Sequence, residues 1–143
     1  MKKIYFIIFL LIALFIVGCT QSDQGTEETP TDSGAYAETQ AYVIEITSSG
    51  FNPSPLTVKQ GTTVTWVNKN TVEHWPASAK HPTHTVYPGS DIQKCGMAEE
   101  SNIFDACRGL KQNEGWTFTF NEKGEWAYHD HLDISKFGKI IVE

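Results

Sequence analysis

The chain has 143 residues and a formal net charge of −6, which allows one well-filled core but not two, and leaves no basic excess with which to grip nucleic acid. It contains no Gly-x-Ser-x-Gly, no glycine-rich phosphate loop and no paired carboxylates set in an apolar frame. Any enzymatic activity therefore has to come from a bound metal.

The predicted elements begin with an export signal. Lys2 and Lys3 precede an apolar run from Ile4 to Val17, and Gly18-Cys19 is followed at once by the polar Thr20-Gln21-Ser22-Asp23. A basic start, an apolar stretch and a small residue at the cut are the parts of a secretory signal, and the run is shorter than the ~20 residues a spanning helix needs. Ile16-Val17-Gly18-Cys19 resembles the lipobox of lipoproteins, which implies that Cys19 becomes the lipidated first residue of the mature chain. The other reading is an uncleaved anchor. Both place the protein in the cell envelope, outside the cytoplasm, tethered to a membrane. Loss of residues 1–18 removes Lys2 and Lys3 and takes the net charge from −6 to −8. Residues 19–40 are rich in Thr, Ser, Glu, Asp, Gln and Gly and cannot bury enough surface to offset their ordering entropy, so they are expected to form a disordered tether.

Residues 41–143 carry the strand signals. Tyr42–Thr47 is a β-branched run stopped by Ser48-Ser49-Gly50; Leu56–Val58 and Thr62–Asn68 flank the turn Lys59-Gln60-Gly61. Trp116–Phe120 alternates cleanly, and Glu125–His129 and Lys139–Val142 complete the set. Short strands with frequent turns and no helical period predict one all-β domain, a sandwich or a barrel, in which Trp66, Trp116, Phe118, Phe120, Trp126 and Tyr128 read as core. The stretch from Trp75 to Glu114 is far longer than an ordinary connection, and such loops tend to be functional. It holds Cys95 and Cys107, which in an exported protein are expected to form a disulfide that stabilises by about 2–4 kcal/mol; the rival reading makes one of them a metal-binding thiolate.

All five histidines lie in the second half of the chain: His74, His81, His84, His129 and His131. In Tyr128-His129-Asp130-His131 the two imidazoles stand at i and i+2, on one face of an extended strand, and can reach one ion. With one or two more imidazoles from the long loop they make a nitrogen-rich site for copper, or less favourably zinc. His81-Pro82-Thr83-His84 and His74 are the loop candidates. Asp130 either orients an imidazole or faces water.

The segment Phe51-Asn52-Pro53-Ser54-Pro55-Leu56 through Trp66-Val67-Asn68 resembles the front half of cupredoxins of the plastocyanin and azurin kind, and Phe118-Thr119-Phe120 through Tyr128 to Phe137-Gly138-Lys139-Ile140-Ile141-Val142 resembles their back half. The resemblance implies a cupredoxin-like Greek-key sandwich with one long insertion, and His74 at the place of that family's first copper ligand. The site departs from the blue-copper pattern. A histidine, His129, stands at the position matched to the thiolate; the next histidine is His131, and the axial position falls near Lys136 or Phe137. Gly124 to His131 also resembles the Gly-x-x-x-Tyr-His-x-His motif of multicopper oxidases, and His74-Trp75 and His81-Pro82-Thr83-His84 resemble the starts of two others. Together they imply copper on imidazole, with His74, His129 and His131 as ligands and His81 or His84 completing the shell.

Three readings follow. The first is a lipid-anchored copper protein, in copper handling or electron transfer with a redox or copper-handling partner protein. The second is a copper-dependent oxidoreductase acting on oxygen species or small phenols. The third is a metal-free interaction domain.

Overall fold

The computed structural model describes residues 41–143. The signal at residues 1–18, lipidation of Cys19 and the tether at 19–40 lie outside them. Among the described residues, eight strands form two four-stranded sheets. One sheet has the order β2-β1-β4-β6, from Gly50–Asn52, Tyr42–Thr47, Thr62–Asn68 and Gly115–Phe120. The other has the order β3-β8-β7-β5, from Leu56–Val58, Asp133–Val142, Gly124–Asp130 and Pro76–Ser78. The expected all-β sandwich is the observed architecture.

Alternation explains why the sheets face each other. Ile44 and Ile46 on β1, Val64 and Trp66 on β4, Phe118 and Phe120 on β6, and Ile140 and Val142 on β8 are all buried, while their neighbours in sequence are less so. A period of two puts one face of each strand into the core. Trp66 sits at the centre, its ring within 5.2–6.2 Å of the rings of Trp116, Phe104, Tyr128 and Phe120. Removing so large a buried side chain costs about 3–5 kcal/mol in cores of this kind. On β8, Gly138 lies opposite Tyr128, and a Cβ at 138 would overlap the Tyr128 phenol ring. A larger residue there would displace the ring from the core.

The long connection is more ordered than its composition suggests. It contributes β5, two 3-10 turns at Ile92–Lys94 and Glu100–Asn102, and the core residues Tyr87, Phe104 and Leu110. Cys95 and Cys107 are joined in a disulfide with S–S 2.01 Å. The segment folds back over the end of the β3-β8-β7-β5 sheet, where Ala77 pairs with His129 and bridges to Asp105. Asn68 anchors its start: the buried side-chain amide donates to the carbonyls of Val72 (2.7 Å) and Leu110 (2.8 Å).

Candidate metal centre

The period of two along β7 divides its last three residues between the two faces of the sheet. Tyr128 and Asp130 point into the sandwich, and His129 points to the opposite side, under the long connection. The β7–β8 ladder shifts register between His129 and Asp130, and β7 ends at Asp130. His131 sits in the turn that follows, held there by its backbone N–H, which donates to the Trp75 carbonyl at 2.7 Å.

Three imidazoles converge on the His129 side. His84, His129 and His131 each offer a ring nitrogen, and these atoms lie within 4.8 Å of one another. His84 Nε2 and His131 Nδ1 are 2.9 Å apart. The ring of His81 packs against those of His131 and His129 at 4.9 and 5.6 Å. His81 is exposed and His84 and His129 are buried. A groove of about 1000 Å³ opens beside His81 and His129, lined among others by Phe51, Pro55, Ile134 and Phe137, so the cluster has a path to solvent.

His129 is the least satisfied group of the four. It is 6% exposed, and neither ring nitrogen has a hydrogen-bond partner. Burial, followed by repulsion from His84, His81 and His131, holds its pKa down at about 4. Burial, then repulsion from His84 and His81, lowers that of His131 as well. A buried polar atom without a partner destabilises the fold by about 1–3 kcal/mol, and a cation placed among these nitrogens would remove that penalty. Neutral imidazole is also the form that ligates a metal. The residues present therefore fit an ion held on nitrogen.

The structure does not bring His74 to this group. Its ring lies on the Asp130 side: Nδ1 meets Asp130 Oδ2 at 2.5 Å, and Nε2 faces the Asn70 amide nitrogen at 3.1 Å. The expectation that His74 joins His129 and His131 fails on alternation, because Asp130 and His129 cannot face the same way. Asp130 does orient an imidazole, but the imidazole is that of His74. Its other oxygen accepts from the backbone N–H groups of Trp75 (2.8 Å) and Leu132 (3.0 Å), which fixes the turn carrying His131. Between the two loop histidines the geometry distinguishes clearly: His84 belongs to the close trio and His81 flanks it. Cys95 and Cys107 lie near Asp105, but as a disulfide they supply no thiolate. Asp105, which carries no signal in the sequence, is 1% exposed, and its Oδ2 lies 2.5 Å from His84 Nδ1.

No protein-family model matches the chain. Amicyanin of Paracoccus versutus is 29% identical over 138 residues, covering 92% of this chain and 90% of that protein. Amicyanin of Paracoccus denitrificans is 29% identical over 105 residues, covering 72% of this chain and 66% of that protein. Among solved structures, a reduced Cu(I) form of an amicyanin variant matches with a TM-score of 0.54 and 23% identity over 73% of this chain and 83% of that one. A purple cupredoxin from Nitrosopumilus maritimus matches with a TM-score of 0.54 and 23% identity, covering 71% of this chain and 99% of that one. The domain is cupredoxin-like.

Proposed function

We propose that this protein binds one copper ion on the imidazoles of His84, His129 and His131, with His81 at the mouth of the site, and uses it in electron transfer or copper handling. The observation that carries the reading is the pair of buried, unpartnered nitrogens of His129 beside two further imidazoles. The likeness to amicyanin, and to a structure named as a Cu(I) form, supports copper in particular. Copper would contribute one-electron cycling between Cu(I) and Cu(II). The chain's own share is to supply neutral nitrogens, to keep His84 and His129 out of bulk water, and to pin His131 by its backbone.

With Cys95 and Cys107 bridged, the ligand set contains no thiolate. The Cu(II) form is then pale, with a wide copper hyperfine splitting in electron paramagnetic resonance. Nitrogen sites prefer Cu(II) over Zn(II), so a titration of the purified chain should give one Cu(II) per molecule, bound more tightly than Zn(II). No saturable Cu(II) binding would remove the proposal, and an intensely blue form would remove the imidazole-only ligand set.

The reading extends to location. The lipobox-like Ile16-Val17-Gly18-Cys19 and the polar residues 19–40 support a lipid-anchored protein of the cell envelope, with the copper domain held off the membrane on a tether. Cys19→Ser should abolish lipidation and processing together. Mass spectrometry finding an intact N-terminus with unmodified Cys19 would defeat the anchor.

A further inference from the structure

Asp105 accepts hydrogen bonds from three directions. Oδ1 takes the Trp75 indole N–H at 2.5 Å and the Cys107 backbone N–H at 2.8 Å, and Oδ2 faces His84 Nδ1 at 2.5 Å. A carboxylate has only acceptors to offer, so the proton on His84 sits on Nδ1. Nε2 is then the nitrogen left with a lone pair, and it is the one turned to His131. The arrangement is held under tension at two points. His84 (φ 57) and Cys107 (φ 54) both occupy the left-handed backbone region, which residues with a side chain avoid unless their surroundings hold them there. Cys107 is also bridged to Cys95, and its N–H donates to the Asp105 carboxylate two residues earlier.

We propose that Asp105 is a positioning residue for the metal centre: it locks His84 as the Nδ1–H tautomer so that Nε2 alone meets the ion, and the Cys95–Cys107 bridge holds Asp105 in place. The proposal rests on the copper reading above for its purpose. Its physical content also exists in the metal-free protein. Asn at 105 could not do the same work. Its single oxygen cannot serve three N–H donors, and its NH₂ would be forced against at least one of them. Partners of this kind typically contribute 10- to 100-fold to metal affinity by fixing the ring and raising its basicity.

The test reads two quantities. Nitrogen-15 NMR of the metal-free protein gives the His84 tautomer, and competition against a chromophoric chelator gives affinity for Cu(II), repeated with Zn(II). The parent should show His84 protonated on Nδ1. D105N should shift His84 towards the Nε2–H form and weaken Cu(II) binding by about 10- to 100-fold. Trp75→Phe, which removes one donor but keeps a ring against His131, should leave the tautomer unchanged and weaken binding by only about 2- to 5-fold, a small fraction of that; it keeps the idea testable if D105N fails to fold. A double Cys95→Ser/Cys107→Ser variant needs no reductant and adds no thiol, and should weaken binding by about 3- to 10-fold on the same grounds. An Nε2–H tautomer in the parent, or D105N with parental tautomer and affinity, would overturn the role of Asp105. A folded double-serine variant with parental affinity would overturn its link to the bridge. If the parent binds neither metal, the copper reading fails, while the tautomer still reports whether Asp105 positions His84.

Discussion

Two histidine–aspartate pairs of the same construction stand on opposite sides of β7. In each, a buried carboxylate meets a histidine Nδ1 at 2.5 Å and spends its other oxygen on N–H groups. Trp75 touches both, donating its backbone N–H to Asp130 and its indole N–H to Asp105. They differ in what the far nitrogen sees. His74 Nε2 faces the amide nitrogen of Asn70, which satisfies it, whereas His84 Nε2 faces His131 and lies near His129. The first pair closes a hydrogen-bond chain and therefore acts as structure. The second ends on another imidazole nitrogen 2.9 Å away, inside the cluster that the proposed copper site uses. What separates a structural histidine from a binding one here is the partner of its second nitrogen.

One substitution should disable the binding side outright. His129→Ala should weaken Cu(II) binding by more than about 100-fold, beyond the range typical for residues behind the ligands. The metal-free protein should lose little stability, because two unpartnered buried nitrogens go with the ring. Competition titration and urea unfolding on one preparation measure both. An affinity equal to that of the parent would remove His129 from the site.

Acid comes next in size, and it acts on the same side. In the unfolded chain His129 titrates near ~6.5, whereas in the fold burial and its histidine neighbours hold it at about 4. Between these values the unfolded chain binds a proton that the folded one refuses, so stability rises with pH there. The contribution is complete above about pH 6.5, falls through the interval and is gone below about pH 4, with a full size on the order of 3 kcal/mol. Urea unfolding of metal-free protein at pH 7 and pH 4.5 should show a larger loss for the parent than for His129→Ala. Equal losses would mean that His129 is not held neutral.

The strands were legible in the sequence because their faces alternate: Thr62–Asn68 and Trp116–Phe120 needed only the period of two. Gly50–Asn52 begins inside the turn-like Ser48-Ser49-Gly50 and Pro76–Ser78 opens on proline, so neither shows as a strand, although the equally short Leu56–Val58, flanked by a clear turn, does. In the site, the spacing of His129 and His131 was readable, and the choice between His81 and His84 was not, because a loop has no period. His74 misled for a definite reason. A resemblance aligns a residue along the chain, but only its facing decides which group it joins, and Asp130 had taken the inner side. Asp105 was invisible because the disulfide-closed loop that brings it to His84 has no local signature.

The structural pair gives a smaller effect of a different kind. His74→Ala strands the buried Asp130 carboxylate without its hydrogen-bond partner on Oδ2, which should lower the unfolding free energy by about 1–3 kcal/mol. Cu(II) affinity should stay within a few-fold of the parent, any loss arriving through the turn that Asp130 fixes. Thermal or urea unfolding beside a copper titration separates the two. A loss of affinity as large as that of His129→Ala, with stability unchanged, would reverse the assignment of the pairs.

A milder substitution locates the boundary of the binding side. His81 is exposed, and its ring lies 4.9 Å from that of His131 and 6.4 Å from that of His84, centre to centre. Outside the close trio and with no carboxylate behind it, its ring must be ordered by the ion itself, and that ordering entropy cancels much of the bond it could add. His81→Ala should therefore weaken Cu(II) binding by less than about tenfold, under the 1.4 kcal/mol that a factor of ten represents. It should also relieve one of the neighbours that repel a proton from His129, so the acid loss of stability in the metal-free protein should shrink slightly as His129 titrates at a higher pH. Both readings come from one variant, by competition titration and by unfolding at two pH values. A drop in affinity matching that of His129→Ala would make His81 a full ligand and move the boundary outward to the mouth of the groove.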